Sequence, residues 1–90
     1  MEAPQGFLDL CSMFHQDMDL FYGDINDVVS DFVRSLSQNE SDLVVKYLEF
    51  RLSNSDPQDL ISEWSRCGAD FSFSGRGLIE FYESLIEKIR

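Results

Sequence analysis

Seventeen acidic residues against seven basic ones leave this 90-residue chain with a net charge of −10, and a chain so short buries only about 60 to 65% of its unfolded surface, so it holds one core and little room for a deep enzyme cleft. The 43% hydrophobic content, with eight Phe, three Tyr and one Trp, excludes a disordered chain. The charge repels nucleic acid and anionic lipid and speeds encounter with a basic protein.

The imbalance is steepest at the start. Glu2, Asp9, Asp17, Asp19, Asp24, Asp27 and Asp31 all precede the first base, Arg34. The opening "MEAPQGFLDL" lacks the basic and apolar regions of a signal peptide, and no window approaches the roughly 18 apolar residues of a membrane span. The chain is therefore expected in the cytoplasm, with no membrane partner. There Cys11 and Cys67 stay reduced, as small apolar members of helical faces.

Residues 1–90 read as a single domain. Phe7, Cys11, Phe14 and Met18, with Tyr22 continuing the row, recur at helical spacing and predict a first helix that Gly23 ends or interrupts. A second helix starts near Asp24 or Asn26, with Val28, Val29, Phe32, Val33 and Leu36 on one face. Its three valines make it a modest helix former, so packing must hold it. Ser37 followed three residues later by Glu40 matches a capping box and predicts a third helix from about Asn39 to Ser53.

In "SNSDPQDL", Asp56 caps, Pro57 fits a first helical turn and Asp59 suits the helix dipole; the fourth helix then runs to Arg66 or Cys67, with Gly68 ending it. "ADFSFSGRG" alternates Phe71 and Phe73 with polar residues over too few positions for a sheet. It predicts a short extended aromatic segment, Asp70 to Ser74, that sends one or both rings inward. Leu78, Tyr82, Leu85, Ile86 and Ile89 then line a last helix from Gly77 to Arg90. The fold class is all-α, a compact bundle of about five helices.

The stretch "FHQDMDLFYGD" gathers candidate ligands, since His15 and Asp19 lie four apart on a helix. Two ligands do not make a metal site, His15 is the single histidine, and neither the spacing of a zinc site nor that of an EF-hand is present. No Ser or Cys nucleophile accompanies His15 in a recognised motif, and the glycines of "SGRG" make a poor phosphate loop. The expectation is no enzyme, no metal and no cofactor.

The acidic rows carry more. Asp24, Asp27 and Asp31 fall within about 60° of one another on the second helix, away from its Val/Phe face. Glu80, Glu83 and Glu87 repeat that spacing on the last helix. Like charges at such positions cost a few tenths of a kcal/mol per pair, which either solubility or a basic partner repays. Within the third helix, Leu43, Val44, Tyr47, Leu48 and Leu52 define an apolar arc from which Arg51 projects. That arginine must snorkel outward or meet an acid from another helix, with Asp17 the candidate.

"FHQDMDLFY", that is Phe14, His15, Gln16, Asp17, Asp19 and Tyr22, resembles the signature of a small helical group of immunity proteins from bacterial contact-dependent growth inhibition systems. "DVVSDFVRSLSQNESDLVVKYLEFRL" and "EWSRCGADFSFSGRGLIEFYESLIEKI" are similar to that group's later helices, although Met18 stands where a large aromatic is expected. "FYGDINDVV" also resembles the surroundings of a motif in barstar-type ribonuclease inhibitors, but their fold alternates helices with parallel strands, for which this chain lacks the Val/Ile-rich segments.

The first resemblance implies an inhibitor that neutralises a cognate toxin domain, the C-terminal region of a large secreted effector and in many cases a basic nuclease. Taken with the acidic rows, this reading expects partner contact at Asp19, Tyr22, Asp24, Asp27, Asp31, Glu80, Glu83 and Glu87, while the motif and the third-helix arc give a structural role to Phe14, His15, Asp17 and Arg51. A monomer is favoured. The alternative is an acidic helical adaptor or regulatory module for another basic protein.

Overall fold

A computed structural model describes residues 2–14, 25–69 and 73–90. They form five helices, α1 Gln5–Met13, α2 Ile25–Ser35, α3 Gln38–Asn54, α4 Pro57–Arg66 and α5 Gly75–Ile89, with no strand among the described residues. The last helix is central: α5 packs against α2, α3 and α4, while α1 packs against α3. The faces read from periodicity are the buried ones, with Val28, Val29 and Phe32 from α2, Val44, Tyr47 and Leu48 from α3, and Leu78, Tyr82 and Leu85 from α5 all in one core.

Caps set most boundaries. The Ser37 hydroxyl accepts from the Glu40 amide at 3.2 Å while the Ser37 amide donates to the Glu40 carboxylate at 3.1 Å, a reciprocal capping box that starts α3. Asp56 accepts from the Asp59 amide at 2.9 Å and Pro57 opens α4. Gly68 follows α4 with φ of +98°, a left-handed conformation that a Cβ would strain.

Two expected boundaries need correction. The first helix ends at Met13 instead of running toward Tyr22: Phe14 has ψ of 57° and its amide donates to the Cys11 carbonyl. Tertiary packing competes with periodicity there. The Phe14 ring is fully buried, 5.3 Å from Trp64 and 5.5 Å from Phe81 between ring centres. Met18, Tyr22 and Gly23 lie outside the described residues.

The last helix starts at Gly75, two residues before the expected Gly77, because the Ser74 hydroxyl accepts from the Gly77 amide at 3.0 Å and caps the turn. A Cβ on Gly75 would meet Pro57 Cβ at 2.7 Å, so this glycine lets the starts of α4 and α5 approach. Of the expected aromatic segment, residues 70–72 lie outside the description. Phe73 is half-buried and stacks on Phe81, with centroids 5.0 Å apart and planes at 21°.

Candidate interaction surface

Among the described residues a part-buried polar constellation ties α3 to α4. Glu63 of α4 accepts from Arg51 Nε at 3.0 Å through Oε1 and from the Tyr47 hydroxyl through Oε2. The pair is largely shielded, with side chains 21% and 12% exposed for Arg51 and Glu63. The acid that meets Arg51 is thus Glu63, 12 residues further along the chain in α4, while Asp17 lies outside the described residues. Both carboxylate oxygens are engaged, as a shielded charge requires.

Around this pair lie groups that favour their neutral forms. Burial, then the bond to Glu63, pushes the Tyr47 hydroxyl above its ordinary pKa. Burial, with Cys67 and Glu63 nearby, pushes the Cys11 thiol up as well, and burial followed by Glu63 does the same to Cys67. A thiol held protonated is a poor nucleophile. The fully buried Tyr82 hydroxyl has no hydrogen-bond partner among the described residues, and burial raises its pKa too. No group of three or more His, Cys, Asp or Glu among the described residues is placed to hold a metal ion.

Asp27 is exposed, and Asp31 is half-exposed and paired with Arg34. Glu80, Glu83 and Glu87 are all exposed, with Arg76 3.5 Å from Glu80. The two rows border different parts of the molecule. Arg90, one turn beyond Glu87 and on its side of α5, reaches Glu49 of α3 at 2.6 Å. Lys88, on another side of α5, donates to Asn26 of α2 at 3.4 Å.

The end of α5 thus meets α3 through Arg90 and Glu49. A groove of about 470 Å³ is lined by Ser30, Val33, Arg34 and Lys88, and Arg34 pairs with Asp31. A second groove of about 420 Å³, between α3 and the end of α5, is lined by Asp42, Val45, Lys46, Glu49, Ile89 and Arg90 together with Gln38 and Ser41. Of the residues expected to make contact or form the motif, His15, Asp17, Asp19, Tyr22 and Asp24 lie outside the described residues, and Phe14 belongs to the core.

Sequence reasoning placed Leu43 in the buried arc of α3, yet it is 46% exposed, and Phe50, two turns on, is 38% exposed. The buried centre of α3 runs along Val44, Tyr47 and Leu48, which turns Leu43 to the edge of the contact and beyond it. The signal was available: Leu43 and Phe50 stand seven residues apart, hence on one side of a helix, and that side is not the side of Val44 and Leu48.

No helix among the described residues is long and apolar enough to cross a membrane. No curated protein and no solved structure matches the chain at a significant level. One family model does, the one described as CdiI immunity protein, over residues 9–89. The match spans nearly the whole chain, and the protein belongs to that family. Membership implies that it binds and neutralises a contact-dependent growth inhibition toxin.

Proposed function

We propose that this member of the CdiI immunity family acts in the cytosol of the toxin-producing bacterium as a stoichiometric, non-catalytic inhibitor of a basic nuclease domain. The family match over residues 9–89 carries the reading; the net charge of −10 supports its electrostatic half, because a nuclease cleft that binds phosphates attracts an acidic inhibitor. The protein works as a monomer and needs no cofactor and no nucleic acid.

Contact involves the acidic residues Asp27 and Asp31 of α2 and Glu80, Glu83 and Glu87 of α5, joined by Asp19 and Asp24, with Tyr22 as an aromatic anchor. Exposed carboxylates of this kind accelerate association and make it sensitive to salt.

Co-expression tests the reading. The C-terminal domain of the large secreted protein encoded immediately upstream is induced with and without this chain. Protected growth is the expected result, and equal killing in both cultures would defeat the assignment. Reversing Asp24, Asp27 and Asp31 to Lys together should slow association at low salt at least tenfold, by roughly the scale of electrostatic steering. An unchanged rate would remove that row from the interface.

A further inference from the structure

We infer that the outer face of α3 is the centre of the toxin contact, with Leu43 and Phe50 as its apolar anchors and Asp42 and Glu49 as its charged rim; this rests on the immunity reading above.

Among the described helices, α1 leaves one large apolar residue exposed, Leu8, whereas α3 leaves two, Leu43 and Phe50, outside its core face. Leu43 and Phe50 are separated by two turns, about 10 Å along the axis and within about 20° around it. Each is preceded by an exposed acid, Asp42 and Glu49 respectively, so an acidic row runs parallel to the apolar one. Lys46 lies between the two turns, where its aliphatic stem extends the apolar strip. Single exposed apolar residues are ordinary on a protein surface. An apolar and an acidic residue repeated together at the same helical interval are the arrangement of anchors with a charged border.

The sign of the partner follows from the exposed acids of this face, Asp42 and Glu49, and from the net charge of −10. The groove between α3 and the end of α5 has Asp42 and Glu49 in its wall beside Lys46 and Arg90, and Arg90 is tied to Glu49 at 2.6 Å. The occupant that fits is a protein surface with an apolar depression bordered by Lys or Arg, which is the toxin domain if that domain is basic. Apolar anchors at the centre set the dissociation rate, and the acidic rim sets the association rate.

The test measures binding of the upstream-encoded toxin domain to four forms of the full chain: wild type, Leu43→Ala with Phe50→Ala, Asp42→Asn with Glu49→Gln, and Gln58→Ala on exposed α4 as a control. Thermal unfolding of each confirms that exposed substitutions leave the fold intact. The apolar double variant should weaken Kd about a hundredfold, chiefly through faster dissociation. The rim variant should slow association and flatten its salt dependence. Gln58→Ala should match wild type.

Binding by the apolar double variant within twofold of wild type would overturn the inference and leave the immunity reading standing. Absence of binding by wild type would overturn both. Should wild type sediment as a dimer that the apolar double variant converts to a monomer, with toxin affinity unchanged, the face belongs to a second copy of this chain and the inference fails.

Discussion

At the corner where α1 ends against α4 and α5, the rings of Phe14, Trp64 and Phe81 stand 5.3 to 5.9 Å apart at steep angles, and Phe73 closes the group by stacking on Phe81. On the outer face of α3, Leu43 and Phe50 are of the same chemical kind but keep 46% and 38% of their surface in contact with solvent. The difference lies in what stands opposite. Edge-to-face neighbours surround each ring of the corner, whereas α3 meets its neighbours through Val44, Tyr47 and Leu48 and leaves the other side uncovered. Apolar character brings a residue into a core only where a second element supplies the complementary surface.

The comparison can be broken most severely at Trp64, which is 2% exposed and touches Phe14, Phe73, Phe81 and Tyr82. Trp64→Ala should cost about 3–5 kcal/mol of unfolding free energy, measured by urea denaturation. A loss below about 1 kcal/mol would mean that the aromatic corner contributes little to the fold.

Next in size is Gly6→Ala. A Cβ at Gly6 would lie 2.7 Å from Val44 Cγ2, on the inner side of the helix whose outer side bears Leu43. Overpacking there should destabilise by about 2 kcal/mol. Adding Val44→Ala should recover part of that loss, a coupling that a double-mutant cycle reads directly.

Arg51→Met removes the partner of Glu63 and should lower stability by about 1.5 kcal/mol, the scale of a hydrogen bond to a charged group that retains some solvent. Unchanged thermal stability would show that the Tyr47 hydroxyl suffices for Glu63.

The buried groups beside this pair predict alkaline sensitivity. The Cys11 thiol titrates above its ordinary value of 9.0 when folded, so the folded state holds its proton where the unfolded chain releases it. Stability is then flat below about pH 9 and falls as pH rises toward the folded value, by about 1.4 kcal/mol per pH unit for each group in its window. Cys11→Ala should remove its share of the slope in denaturant titrations at pH 8 and pH 10. The smallest effect belongs to α3's outer face: Phe50→Ala should change stability by less than about 0.5 kcal/mol. A loss above 1 kcal/mol would place Phe50 with the core rather than with a partner.

Much of this architecture is legible in the residues. The Ser37–Glu40 capping box, the Asp56–Pro57 start and Gly68 beyond α4 depend on neighbours within a few positions, and local chemistry is what a sequence states directly. The α1 end at Met13 was not legible, because the row Phe7, Cys11 and Phe14 continues in sequence beyond the place where the aromatic corner takes over. The start of α5 at Gly75 was missed for a smaller reason, a serine cap inside a stretch read as extended. In the candidate surface, the charge rows were visible as spacing, but the tie between α5 and α3 rests on Arg90 meeting Glu49 across 41 positions of chain.

The sequence by itself determined that this is a small, acidic, all-helical protein, since helical periodicity, caps and net charge are properties of residues and their near neighbours. Which acid receives Arg51, which side of α3 remains uncovered, and which helix end is tied to α3 were decided by tertiary structure. Each depends on two helices distant in sequence approaching with particular faces, and spacing along one chain carries no information about that approach.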